Sequence, residues 1–597
     1  MLLHRPILAA LLAATTSVAL AAETTEPLGE TIVTATRTET PLSDVLAPVI
    51  LINRDDLARS LAPDVSGLLQ FHAGIDIARN GGPGQTTSIF IRGTDSNHAT
   101  VLVDGVRINP GTIGGAQIQN VSPDVVDRIE IVKGPRSTLY GTDAIGGVIN
   151  IITRKYDTSG FDASVGYGRY DTRQASFSGG FGSDTGEIGF TGSWFDTEGF
   201  PAQTPSDVDS GFENKSFSMR GRTSVGSAEL GARVWYSSGT TDYLDFFLTP
   251  VSQDFETGSA AADVAFGSGA WKSRLTLSRI EDDIEQNQST DFARTRRNAL
   301  DWQNDLQLGS NQLVTAGVLL TDEDTDAIVF GSGFDESTRV NMGYVQDRLG
   351  FGPHNLLLAV AYTDHETFGG KTTWNAEYGY DFATRTRLIL SAGTAFRAPD
   401  STDRFGFGGN PDLDPETSRN YEIGVHQPLG ANQLVTLSAF RNDIDDLIEF
   451  VVTDPVTFDG QNQNIDRVRI DGIELAYQLR AADWSLRAEA IAQDPRDRDT
   501  DELLLRRVKH SGTVSVVKAF GLHELGLDVL FAGAREDFGG VRLDPYTLLN
   551  LYGRIALTPA WTVQLRLENA LDEHYELANT YNTAGRSLFV ATRYDFR

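Results

Sequence analysis

Lys133-Gly134-Pro135-Arg136-Ser137-Thr138-Leu139-Tyr140-Gly141, running on into Asp143-Ala144-Ile145-Gly146-Gly147-Val148-Ile149-Asn150, is where this chain changes character. Turn formers and small residues surround a short apolar strand. Before this stretch lies a compact, glycine-punctuated region. After it, from about residue 156 to the last residue, the hydrophobic period becomes two and stays two. The organisation is therefore a small domain followed by a very long β domain.

The alternation is regular. Phe161, Ala163, Val165 and Tyr167 alternate with Asp162, Ser164, Gly166 and Gly168. Trp561, Val563, Leu565 and Leu567 alternate with Thr562, Gln564, Arg566 and Glu568, and Leu588, Val590, Thr592, Tyr594 and Phe596 share one face of the final strand. Successive side chains of a strand point to opposite sides, so each segment has an apolar and a polar face. In a soluble sandwich the apolar face meets a second sheet; in a membrane barrel it meets lipid. Residues 156–597 number 442. At about 20 residues per strand and connection they make about 22 strands. No linker divides them into tandem sandwiches. The fold class is mainly β, a 22-stranded antiparallel transmembrane β-barrel, the size class of plugged outer-membrane transporters.

Upstream, residues 41–155 read as a small α/β domain. Asp55-Asp56-Leu57-Ala58 opens one helix, and Ser66-Gly67-Leu68-Leu69 lies in another. Strands follow at Ser88–Arg92, Thr100–Val103, Asp127–Val132 and Val148–Thr153, with glycine-rich connections at 81–84 and 111–115. Residues 23–40 are polar, Thr- and Glu-rich, and too poor in apolar side chains to fold alone, so they read as a flexible arm. Residues 1–22 have the pattern of a secretory signal peptide: His4 and Arg5, an apolar run from Ile7 to Leu20, and the small-residue site Ala19-Leu20-Ala21. No other stretch approaches the ~20 apolar residues of a membrane helix.

Composition removes several functions. The chain has no cysteine, which excludes disulfides, thiol catalysis and thiolate metal sites. A net charge of −31 argues against nucleic-acid binding, which needs a basic face. The nine histidines are scattered, and neither an H-E-x-x-H pair nor a G-x-S-x-G elbow occurs, so nothing points to an enzyme.

Several motifs in order resemble the TonB-dependent outer-membrane receptors. Glu30-Thr31-Ile32-Val33-Thr34-Ala35 resembles the TonB box, the periplasmic arm that engages TonB. Ser88–Gly93, Val101–Arg107, Pro123–Glu130 and the opening stretch are similar to the family's plug motifs. Phe396-Arg397-Ala398-Pro399, Gly409–Leu413, Pro415-Glu416 and Leu567–Tyr575 are similar to its barrel signatures. Within the family, Asn80–Thr94, Leu504–Lys509 and Thr583–Arg586 look most like the cobalamin (vitamin B-twelve) receptors. The resemblance implies a plug inside the barrel lumen, location in the cell outer membrane, TonB as energy-transducing partner, lipid around the wall and a monomer. It implies TonB-dependent import of a bulky, scarce ligand, a corrinoid such as cobalamin. The alternatives are a ferric siderophore or haem receptor, and, from another class, a passive porin or a barrel enzyme. A porin needs neither arm nor plug.

The same resemblance places Thr86, Ser88, Asp95, Ile113, Gly114 and Arg506 at ligand-contacting positions, with Asp95 and Gly114 differing in type from the cobalamin receptors. Loops Asn80–Ser88 and Asn109–Gly115 should form a pocket floor. Asn80, Gln85, Thr86, Thr87 and Ser88 are neutral and hydrogen-bonding, which suits an amide-fringed corrinoid better than an anionic chelate. A further expectation is calcium. Asp207, Asp209, Tyr243 and Asp245, with Asp254 and Glu256, offer the oxygen ligands it takes. Asp207, Asp209 and Asp245 match calcium loops of the cobalamin receptors, although Pro201 replaces one carboxylate expected upstream. Finally, Arg92, Arg107, Arg136, Asp104 and Glu130 need partners if they are buried between plug and barrel. The arm residues Thr31 to Ala35 alternate β-branched and small side chains, as a strand added to a partner sheet would.

Overall fold

A computed structural model describes residues 31–156, 158–454 and 459–596. The signal peptide expected over residues 1–22 and Glu30 of the expected TonB box lie outside the described residues. Twenty-two antiparallel strands form one closed barrel, from Gly160–Gly168 to Ser587–Phe596. The first and last strands close it, with Phe161 opposite Phe596 and Gly168 opposite Phe589. Closure removes every free sheet edge, which a bilayer demands.

The outward residues are apolar and open: Val165 is 57% exposed, Leu277 55% and Leu475 49%. An apolar belt of this extent would be a liability in water and is what lipid covers. Connections at one end are tight turns, as at 226–227 and 269–270. All of the longest connections, 398–415, 498–509, 533–545 and 569–586, lie at the other end. Short turns mark the periplasmic end of such barrels and long loops the extracellular end.

The N-terminal domain fills the lumen. Its core sheet has the order Val49–Ile52, Val126–Lys133, Gly147–Thr153, Ala99–Val103, Val106–Arg107. Only the pair Ala99–Val103 and Gly147–Thr153 is parallel. Two short helices cover this sheet. Arg54–Ser60 starts at Asn53, whose side chain and that of Asp56 form a capping box, and Val65–Leu69 starts at Asp64, which accepts from Gly67 N. Ile129, Ile131 and Ile149 are fully buried between these layers.

Residues 134–146 join the adjacent strands Val126–Lys133 and Gly147–Thr153. Gly134 N donates to Gly146 O at 2.8 Å, and Gly134 has φ +84°. Gly147 has φ +156°, and a Cβ there would run into Val132 O, so glycine is required. Between them Ser137–Tyr140 forms one helical turn pressed against the barrel wall.

Candidate ligand site and energy-coupling arm

Two plug loops reach the extracellular end. The first turns between the paired strands Ile75–Arg79 and Thr87–Ile91, closed by Asn80 N donating to Thr86 O at 3.1 Å. Thr86 is exposed and Ser88 half-buried. Gln85 is buried, and its amide donates to Asp242 O on the barrel at 2.7 Å. The neutral floor expected from Asn80 to Ser88 is therefore split. Gln85 and Thr87 fasten the loop, and Thr86 and Ser88 remain open.

The second loop carries Ile113, 44% exposed, and Gly114, with φ +66°. A Cβ on Gly114 would come within 2.8 Å of the Asp400 carboxylate. This loop is clasped from above, since Ser401 N donates to Gly111 O at 3.0 Å and Thr402 N to Thr112 O at 2.9 Å. Asp95 is paired rather than free. It caps the turn Ser96–His98 and meets Arg507 at 3.1 Å, whose guanidinium stacks on Phe90. Burial works against its ionisation, but Arg507 prevails and holds the carboxyl down to about 2. Arg506 turns away from Asp95. It binds Asp537 at 2.8 Å and stacks on Phe538. Of the expected contact residues, Gly114 borders the large internal cavity of about 1550 Å³, while Asn80 to Ser88 do not.

The acids expected to hold calcium are dispersed. Asp245 accepts from Phe247 N and Thr249 N, both at 2.8 Å, closing its own turn. Asp254 accepts from Thr240 Oγ1 at 2.6 Å, and Tyr243 donates to Gln286. Asp207 and Glu256 are exposed. Asp209 borders a small depression with Asp196, Glu198, Glu213 and Asp242. Among the described residues no three of these groups converge into a set able to hold a metal ion. As folded, these acids do not assemble a ready-made calcium site.

The arm differs most from its reading. Thr31–Ile32 pairs with Thr40–Pro41, so residues 31–40 fold back as a small hairpin instead of trailing loose. Ile32 and Thr34 are fully buried, and Ala35 nearly so. Val33 N and Thr34 N each donate to the Glu130 carboxylate at 2.9 Å, and Thr34 Oγ1 donates to the same oxygen at 2.6 Å. Tyr140 OH donates to Thr34 O at 2.8 Å. Arg37 reaches the barrel, binding Asp301 at 2.6 Å and Tyr344 OH at 2.9 Å. Composition alone suggested disorder because the partners of these residues come from far along the chain.

The buried charges find partners. Arg92 meets Glu422 at 2.9 Å and Glu474 at 2.8 Å, and lies over the Phe440 ring. Lys133 also meets Glu474, at 2.9 Å, and Arg136 meets Glu377 at 2.8 Å. Arg107 pairs with Asp143 inside the plug. Asp104 accepts from Thr153 N at 2.9 Å and lies 3.5 Å from Arg220. Glu130 serves the arm and Arg128 rather than the barrel. Sequence reading missed a second buried set, in which Glu416 binds both His98 of the plug and Arg397. Arg397 and Glu416 were legible only as parts of barrel signatures, with nothing to show that they meet.

Residues 148–570 match the family described as TonB dependent receptor-like, beta-barrel, and residues 41–148 match the TonB-dependent Receptor Plug Domain. The chain belongs to the TonB-dependent receptors. The receptor is 30% identical over 587 residues to the vitamin B12 transporter BtuB of Vibrio vulnificus, covering 95% of each chain. It is 29% identical over 583 residues to the vitamin B12 transporter BtuB of Photobacterium profundum, again covering 95% of each. Among solved structures, the siderophore receptor PirA of Acinetobacter baumannii superposes with TM-score 0.79 at 18% identity, over 92% of this chain and 98% of that one. A point mutant of the ferric enterobactin receptor PfeA of Pseudomonas aeruginosa gives 0.80 at 17%, with the same coverage. At such identities the structural likeness speaks for the fold alone. The receptor sits in the outer membrane and carries out TonB-dependent transport.

Proposed function

We propose that this receptor imports a corrinoid, cobalamin or a close relative. The reading is carried by similarity along nearly the whole length of two proteins named vitamin B12 transporters. The open hydroxyls of Thr86 and Ser88 support it, because an amide-fringed neutral ligand needs donors and acceptors rather than cations. Arg506 and Arg507, the cations over this part of the plug, are already paired with Asp537 and Asp95.

On this reading the ligand settles on the apical loops. The periplasmic partner TonB then takes residues 30–35 as an added strand, a mode in which main-chain hydrogen bonds give the affinity. The described part of that segment is docked, so engagement requires its release from Glu130. The test is binding of cyanocobalamin to the purified receptor, with ferric enterobactin as competitor. Saturable binding unaffected by the siderophore supports the corrinoid. Binding of the siderophore alone would replace the substrate and leave the transport class standing.

A further inference from the structure

The plug is fastened to the barrel unequally. Toward strands 369–548 the contact is apolar and ion-paired. Arg92, Lys133 and Arg136 meet Glu422, Glu474 and Glu377, and His98 meets Glu416. Ala73 and Ile145 of the plug pack into barrel residues including Phe440, Ile470 and Ile491. Phe71 packs against Leu530, Tyr546 and Leu548. Breaking a buried pair by withdrawing one partner costs several kcal/mol, because the other charge is left unpaired.

Toward strands 209–351 apolar packing persists, with Val106 clustering with Ala261 and Ile280 and with Leu139 and Val148 clustering with Met342 and Tyr344, but ion pairs across the interface are fewer. Here lies the cavity of about 1550 Å³, larger than the ~300–1,000 Å³ of pockets for drug-sized ligands. It runs from Gly111 and Gly114, beneath the extracellular loop at Ser401, to the periplasmic turns at Gly226-Ser227 and Gly269-Ala270. The wall crosses it mainly with arginines that donate to plug carbonyls. Arg297 reaches Asn109 O at 2.7 Å, Arg233 reaches Asp104 O at 3.1 Å and Arg220 reaches Thr153 O at 3.1 Å. Among the described residues two charge pairs bridge plug and wall here. One is Arg220 with Asp104 at 3.5 Å, partly solvated. The other is Arg37 with Asp301, and Arg37 belongs to the arm that must leave. Arg37, Thr38 and Glu39 themselves line the cavity, so withdrawing the arm widens it.

We infer that the cargo descends between the plug and strands 209–351, and that the ion-paired wall at 369–548 holds the plug in place as the fixed side. The inference rests on the corrinoid reading only for its cargo. A lining that mixes arginines and carboxylates with small polar and apolar residues suits a water-soluble molecule fringed with amides.

The absence of cysteine makes the test direct, since one introduced thiol is the only thiol. Ser278 lines the cavity on strand Trp271–Gln286. Thr513 is buried on strand His510–Phe520, opposite Leu530 of the Phe71 cluster. Ser278→Cys and Thr513→Cys are expressed separately in cells and treated with fluorescein maleimide, and cyanocobalamin binding and uptake are measured. Ser278→Cys is expected to label at rest, keep cyanocobalamin binding and lose uptake to the level of cells lacking TonB. Thr276→Cys, also on the cavity, repeats the measurement if Ser278→Cys does not assemble. Thr513→Cys is expected to stay unlabelled at rest and during transport. Full uptake by a completely labelled cavity variant, or labelling of Thr513→Cys that appears only during energised transport, would overturn the route. Uptake by the unmodified receptor is measured first. Its failure counts against the corrinoid, whereas uptake that survives labelling counts against the route alone.

Discussion

Replacing Glu130 by alanine should set the arm free. The carboxylate, fully buried, accepts from Val33 N, Thr34 N and Thr34 Oγ1. A hydrogen bond to a charged acceptor contributes about 1.5–3 kcal/mol net, and bonds sharing one acceptor are not additive. The docked state should therefore lose on the order of 2–4 kcal/mol, while the Tyr140 bond to Thr34 O and the Arg37–Asp301 pair remain. That shifts the docked-to-free ratio roughly 30- to 1,000-fold. Because the partner binds only the free arm, its apparent affinity should rise until release is complete. The assay is a spin label on Thr31→Cys, the sole thiol, read as line shape with and without Glu130→Ala. A mobile spectrum and tighter binding of purified TonB are expected, with Glu130→Gln intermediate. An immobile label in Glu130→Ala, with cyanocobalamin binding intact, would refute the docking argument.

Val33→Pro removes the donor that pairs with Glu130 and would pair with TonB; uptake should vanish while ligand binding persists, and normal transport would mean that another segment is the box. Thr86→Trp, on the open side of the floor, should weaken cyanocobalamin binding by ~1–3 kcal/mol by calorimetry, and undiminished affinity would move the site elsewhere. Asp76 of the plug is pushed up to about 6 by burial, with Arg535 opposing. Its native form holds the proton more tightly than the unfolded chain, so it favours folding below about pH 4 and that advantage is lost as pH rises through 6, by on the order of 2–3 kcal/mol. Asp76→Asn should flatten this part of the thermal-stability profile, and an unchanged slope would contradict the assignment. Chelation with EDTA should leave cyanocobalamin affinity of the purified receptor unchanged, because the acids at 207–256 do not converge; a marked loss would show that the loops rearrange around a cation.

The barrel was legible because its signal is local and repeated. Period-two alternation sets each strand, and length divided by strand pitch gives the number of strands. Four plug strands were legible as short apolar runs, with edges within one residue, whereas Val49–Ile52, Ile75–Arg79 and Val106–Arg107 were not read. What could not be read was any feature depending on distant partners. The Thr34 hydroxyl looks like that of a disordered tail until Glu130, Tyr140 and Asn150 surround it. Gln85 looks like a ligand contact until Asp242 takes its amide. Asp207 and Asp245 are expected together only by resemblance, and they sit on separate connections, one between strands 186–201 and 209–225 and the other between strands 228–244 and 250–268. Glu416 carries no local mark of its role, since His98 lies 318 positions away.

The central claim is energised import of a corrinoid through this barrel. It is tested most directly by uptake of radiolabelled cyanocobalamin in cells whose only corrinoid receptor is this chain, compared with the same cells lacking TonB. Accumulation that depends on TonB and is abolished by Val33→Pro is the expected result. Accumulation equal in both strains, or none in either despite receptor correctly assembled in the outer membrane, would contradict it.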